Sequence, residues 1–180
     1  MYFSPCTVNR QKMARNRVKK VSFTTFLKKF PPVDLPVTLG SDTHIEFSRA
    51  NTPLDPLEIE DYILPLEEKE MDEFTEFIPC FCIPDTSDFI AIIYFKAGLM
   101  DYQYRIVTYD KSGAVVANEV IGGVFSNGKM IAQSVATIDA SWTIHIVSGQ
   151  GKADATVYDP MESTTKELEL FKDGVIGVLK

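Results

Sequence analysis

Apolar and polar positions change their period once along this 180-residue chain, close to Phe77. Upstream the spacing is helical. Phe23, Phe26, Leu27 and Phe30 fall at i, i+3, i+4 and i+7, so all four share one helical face. Ser22 suits the N-cap, and Pro31-Pro32 stops the helix because neither proline can donate a backbone hydrogen bond. Burying each phenylalanine is worth roughly 1.5–3 kcal/mol, so this helix is expected to dock on the sheet that follows. Residues 33–53 read as extended and turn-rich, with one strand expected around Thr43–Phe47. Asp55-Pro56-Leu57-Glu58 then starts a second helix: Asp55 caps, Pro56 fits the first position, and Glu58 completes a capping box. Leu57, Ile59, Tyr62 and Ile63 supply its buried face. Pro65 ends or kinks it, and a second acidic turn is expected from Leu66 to about Glu73.

From Phe77 onward the period falls to two. Phe77–Ile83 is a short strand closed by Pro84 and the turn Asp85–Asp88, and Phe89–Phe95 is apolar on both faces, as a central strand is. Tyr102–Tyr109 alternates, with Tyr102, Tyr104 and Ile106 on one face and Gln103 and Arg105 on the other. Asp110-Lys-Ser-Gly113 is a hairpin loop, and Asn127-Gly128 marks a tight hairpin between Ala114–Val124 and Lys129–Ile138. Ser141–Ser148 follows, with His145 opposite Trp142 and Ile144. A weaker strand is expected at Ala153–Tyr158, and a last hairpin joins Thr165–Phe171 to Val175–Leu179.

This spacing of turns predicts a mainly β fold with a minor α component. The expected architecture is an antiparallel β-meander, either a single twisted sheet or a partly closed barrel, with one or two N-terminal helices packed on it. Val107-Thr-Tyr-Asp110 echoes in Thr156-Val-Tyr-Asp159, at a spacing close to a propeller blade's. The β part, however, is too short for the roughly four blades a closed propeller needs. The expected organisation is a flexible basic N-terminal arm over residues 1–21 and a single β-rich domain over 22–180, with helices near 23–30 and 56–72.

Composition narrows the class. Apolar residues make up 45% and charged residues 24%, the balance of a globular domain with a real core. No stretch approaches the roughly 18 uninterrupted apolar residues of a membrane helix. The net charge of −7 conceals a segregation: residues 1–33 carry eight Lys or Arg and no acid, whereas residues 55–76 carry ten acids and one Lys. A basic arm suits nucleic acid or an anionic membrane, but aromatic interleaving and a recognition motif are missing, so nucleic acid is not expected. A solvated terminus, or one lying on the chain's own acidic segment, fits better. Met1–Cys6 lacks a charged region followed by an apolar one, so the chain as written reads as cytoplasmic, and as exported or envelope-associated if a start lies upstream. Three cysteines, Cys6, Cys80 and Cys82, do not make a disulfide framework.

Candidate chemistry is sparse. Cys80-Phe-Cys82 has the C-x-C spacing that in a regular strand points both thiols to one face. With His44 and His145 it offers zinc ligands on paper, though the spacing is not that of a zinc knuckle. Pairing either thiol with His145 would make a nucleophilic dyad, but no flanking motif supports one. Gly122-Gly123 and Gly149-Gln-Gly151 lack the strand-loop-helix context and the lysine of a phosphate loop. The acids of residues 55–76 lack calcium-loop spacing. No catalytic residue, metal ligand or cofactor is therefore assigned. Tyr94, Tyr102, Tyr104, Tyr109 and Trp142 form the place to look for a ligand, either as packing on a pleated surface or as the lining of a binding face.

Phe26-Leu-Lys-Lys-Phe-Pro31, the following Leu35-Pro36 and the turn Tyr104-Arg-Ile-Val-Thr-Tyr-Asp-Lys-Ser-Gly113 together resemble a group of uncharacterised bacterial β-rich proteins, often envelope-associated or lipid-anchored. The resemblance spans most of residues 22–180 and implies the β-rich fold with its N-terminal helix, but no activity. Cys6 departs from that pattern, since no apolar export segment precedes it. The resulting expectation is a non-enzymatic interaction or scaffold module presenting a sheet face to a partner protein. The alternative is a small-ligand-binding or hydrolase domain with a pocket at an open end of the sheet.

Overall fold

The computed structural model describes residues 20–67, 71, 73–152 and 163–179. The basic arm through residue 19, with Cys6, the strand expected at Ala153–Tyr158, and residues 68–70 and 72 of the acidic turn lie outside them.

The Phe-rich segment forms α1 (Phe23–Leu27), with the Ser22 side chain accepting the Thr25 N–H at 3.2 Å as an N-cap should. A turn carries the chain on to Phe30, whose N–H donates to the Leu27 carbonyl at 3.0 Å. Strand β1 (Val37–Leu39) and α2 (Thr43–Ala50) follow. Helix α3 (Pro56–Glu58) runs into a π-helical turn over Ile59–Ile63 and a 3-10 turn over Leu64–Leu66. Glu58 accepts the Asp55 N–H at 2.8 Å, the back-reaching half of the expected capping box.

Eight strands then run as a meander: β2 (Glu76–Cys82), β3 (Phe89–Ala97), β4 (Asp101–Asp110), β5 (Val115–Ser126), β6 (Met130–Ile138), β7 (Thr143–Lys152), β8 (Thr164–Leu170) and β9 (Ile176–Val178). They pair antiparallel in chain order, and β1 joins as a ninth strand on β6. The result is a single antiparallel sheet that does not close. Asn127 shapes the tight β5–β6 turn by accepting the N–H groups of Lys129 and Met130, and Gly128 takes φ +83° there.

Strand β5 serves two neighbours. Residues 115–122 pair with β4 alone, whereas Gly123–Phe125 pair with both β4 and β6. Where β5 leaves β6, β1 takes its place opposite Ala136–Ile138. That divergence curls the sheet. Phe89 of β3 meets Trp142 at 5.7 Å, and the Thr108 hydroxyl of β4 donates to the Gly174 carbonyl in the β8–β9 turn at 2.6 Å. One inner core therefore collects Leu39, Phe81, Ile93, Ile106, Ile144 and Leu168 from widely separated strands. A second core covers the outer face of β3 and β4. There Phe26, Phe30, Tyr62 and Ile63 pack on Ile92, Tyr94, Val107 and Tyr109. Phe26 stacks on Tyr62 at 4.5 Å, so the N-terminal helices dock where their apolar face requires.

One expectation fails in this region. Thr43–Phe47 is helical, although its alternation reads as a strand. As a helix it sets His44 and Phe47 one turn apart, against Phe95 at 4.2 Å and Phe81 at 5.4 Å. Asn51, just beyond its end, donates to the Pro79 and Cys80 carbonyls on the β2 edge. Tertiary contact with β2 and β3 outweighs local preference over so short a segment.

Candidate functional site

The aromatic residues expected to form one surface are divided among three places. Tyr94 lies opposite Arg105 and Phe95 opposite Tyr104 across the β3–β4 ladder, so Tyr94 and Tyr104 face opposite ways. Tyr94 and Tyr109 are sealed beneath the helices, and Trp142 lies at the far end of β3, beside Phe89. There it lines an open hollow of about 590 Å³ with Leu170 and Phe171. Tyr102 and Tyr104 stay together. They form the candidate site.

The site is a cup of about 230 Å³ at the end of the sheet where β3 turns into β4. Its floor is Phe95, 2% exposed, with the His44 ring stacked on it at 4.2 Å and an interplanar angle of 9°. Tyr104 tilts against Phe95 at 4.7 Å, and its hydroxyl donates to the Gly40 carbonyl at 3.0 Å. Burial pushes the Tyr104 pKa well above the usual phenol range, with the neighbouring Cys80 adding to the shift. This phenol stays neutral and serves as wall. Tyr102, 42% exposed, stacks on Phe95 at 6.3 Å and opens the cup to solvent opposite Val124. Gly123 makes this close approach possible. At φ +138° it occupies backbone space that side chains avoid, and a Cβ there would overlap the Tyr102 carbonyl. Ser41 completes the lip.

The opposite face of the same strands carries buried charge. The Glu67 side chain is 3% exposed; one carboxylate oxygen accepts from the Tyr94 hydroxyl at 2.9 Å, and the other meets Lys96 Nζ at 2.7 Å and Arg105 at 3.5 Å. Arg105 also donates to Asn118 Oδ1, and Asn118 Nδ2 to the Leu66 carbonyl. These groups border a polar cleft of about 410 Å³. With both its carboxylate oxygens engaged, Glu67 braces the 3-10 turn onto β3, β4 and β5 and is not poised as a base for the cleft.

The remaining candidates do not assemble. A β-bulge between Pro79 and Phe81 breaks the alternation, so Cys80 enters the inner core while Cys82 packs against the outer one. The expectation that C-x-C spacing points both thiols one way is thereby overturned. Burial raises both thiol pKa values, which keeps them protonated. Among the described residues, no group of three or more His, Cys, Asp or Glu could hold a metal. The two histidines stand apart: His44 belongs to the cup, and His145 is clamped between Asp139 at 3.0 Å and Glu167 at 3.3 Å. The Ser141 hydroxyl donates to Asp139 and not to the imidazole, so the hydroxyl–imidazole contact of a nucleophilic triad is missing.

No family model, curated protein or solved structure matches this chain.

Proposed function

We propose that this protein is a non-enzymatic interaction module that presents the open end of its sheet to a partner protein. The carrying observation is a group of large apolar side chains exposed at that end. Leu99 is 69% exposed, Phe74 65%, Phe125 51% and Met100 45%, beside Tyr102 at the mouth of the cup. Leu99, Met100 and Phe125 meet because two turns adjoin: the Ser126 N–H donates to the Met100 carbonyl at 3.0 Å, and Asp101 pairs with Phe125. Scattered apolar residues are ordinary on a surface, but a contiguous group marks an interaction site. The filled inner core supports a surface and not an internal cavity as the working part. The cup's aromatic walls suit binding better than proton transfer, which weighs against the hydrolase alternative. The Phe26–Pro31 and Tyr104–Gly113 patterns extend this reading to a bacterial, envelope-associated setting.

The test uses a photo-cross-linking residue at Leu99, with one at exposed Thr165 as control. Position 99 should give one dominant adduct in cells that position 165 does not. The adducted protein, once purified, should bind this chain and lose at least about tenfold in affinity when Leu99→Ser and Phe125→Ser are combined. Equal adducts at both positions, or an unchanged affinity, would overturn the reading. So would self-association that the double substitution dissolves, because the surface would then belong to a second copy.

A further inference from the structure

We infer that the aromatic cup is the anchor pocket of this surface and receives one aromatic side chain from a basic segment of the partner protein. The inference deepens the open-end reading and rests on it.

Size sets the occupant. A volume of about 230 Å³ exceeds the roughly 150 Å³ of a cavity known to hold benzene and falls short of the roughly 300 Å³ where small-molecule sites begin. One ring fits. His44, Phe95, Tyr102 and Tyr104 line it with aromatic rings, and rings pack well in offset or tilted contact. The walls are already held: His44 by its stack on Phe95, and Tyr104 by its bond to the Gly40 carbonyl. A preformed wall spares the ordering cost that erodes affinity.

Charge sets what carries the ring. Asp42 stands between Ser41 and His44 at one lip, close enough to act electrostatically on the Tyr104 hydroxyl. Asp101 lies on the other face, where its carboxylate accepts from Gln103 Nε2 and lines the polar cleft with Lys96 and Arg105, although it also borders a hollow of about 120 Å³ that shares Tyr102, Gly123 and Val124 with the cup. No Lys or Arg is among the described residues lining either hollow. Lys96 and Arg105, the nearby cations of β3 and β4, are engaged with Glu67 on the other face. An acid at the lip of an apolar cup that no described Lys or Arg lines favours an aromatic residue flanked by Lys or Arg and disfavours an acidic flank.

Three blocked tripeptides test this against the full chain by amide NMR: acetyl-Lys-Trp-Lys-amide, acetyl-Glu-Trp-Glu-amide and acetyl-Lys-Ala-Lys-amide. The first should shift His44, Tyr102 and Val124 saturably, and the other two should bind at least about tenfold more weakly. Asp42→Asn should cut the preference for the Lys-flanked over the Glu-flanked peptide by about twofold or more. Asp42 makes no side-chain cap bond to α2, so this variant keeps the helix. Val124→Trp fills the cup from its own wall and should abolish binding. Should that variant unfold, Ser41→Trp at the exposed lip makes the same test. Equal binding of the two tryptophan peptides, or shifts away from the cup, would overturn the inference. If the cross-linked partner is sensitive to Leu99→Ser and Phe125→Ser but not to Ser41→Trp, the anchor pocket fails while the open-end reading stands.

Discussion

His145 sits between two carboxylates, one on each ring nitrogen, an arrangement that both nitrogens satisfy only when protonated. The bond to Asp139, followed by that to Glu167, raises its pKa above the ordinary imidazole value of about 6.5. A raised folded-state pKa makes the clamp's contribution to stability complete below the unfolded value and lost as pH rises through the folded one. Asp139 works in the opposite sense. Its pKa is lowered, first by the Ser141 hydroxyl and then by His145, so its contribution is present above the unfolded carboxylate value and lost only in acid. An NMR titration should place the His145 midpoint above about 6.5, and Asp139→Asn should move it down. A midpoint unmoved by that substitution would remove the clamp from the account. Glu67 is a buried counterpart. Glu67→Ala strands Lys96 and Arg105, whose side chains are 10% and 13% exposed, and should cost about 3–5 kcal/mol in urea unfolding. A cost below about 1 kcal/mol would mean that the two cations reach water unaided.

At the scale of elements, short pieces gain their stability from what they touch. Helix α1 is five residues long and would not persist alone in water. Phe26 holds it, fully buried, with rings of Phe30 and Tyr62 at 5.1 and 4.5 Å. Phe26→Ala should lower stability by about 3–5 kcal/mol and release α1 and the π-helical turn together, because Tyr62 also bonds the Val21 carbonyl at 2.7 Å. Near-ultraviolet circular dichroism and chemical denaturation read both effects; an unchanged aromatic signal would show that the helix is held elsewhere. The facing of this helix was legible beforehand from four apolar residues at helical spacing. The character of α2 was not, because His44, Ile45, Glu46 and Phe47 satisfy either period until β2 and β3 supply partners. Tyr109, at odd spacing from Tyr102 and Tyr104, already signalled the opposite face.

Across the whole molecule, one open sheet has to protect its edges. Edge strand β2 has its outer carbonyls taken by Asn51, and the Cys82 N–H donates to the Pro31 carbonyl at 3.1 Å; edge strand β9 is only three residues long. Both devices discourage edge-to-edge pairing. Stability should accordingly fall from the centre outward. Amides of Ile93 and Ile106, in paired strands with fully buried side chains, should exchange only through global unfolding, and Gly177 of β9 through local opening. Hydrogen exchange followed by NMR checks the order, and equal protection at all three would refute it.

The approximate positions of the meander's strands, the hairpin at Asn127-Gly128 and the docking face of the Phe-rich helix were determined by the sequence, although β7 runs on to Lys152 through the glycines that follow the expected end at Ser148. Each depends on period or turn chemistry acting over a few neighbouring residues. The bulge that parts Cys80 from Cys82, the helical state of α2, the insertion of β1 beside β6 and the closeness of Gly123 to Tyr102 were decided by tertiary structure. So was the cup, whose walls come from residues 44, 95, 102, 104 and 124. Phe95 with Tyr104 and Tyr102 with Val124 meet across adjacent strands, but His44 reaches them only once α2 has packed on that face, and no local pattern records that packing.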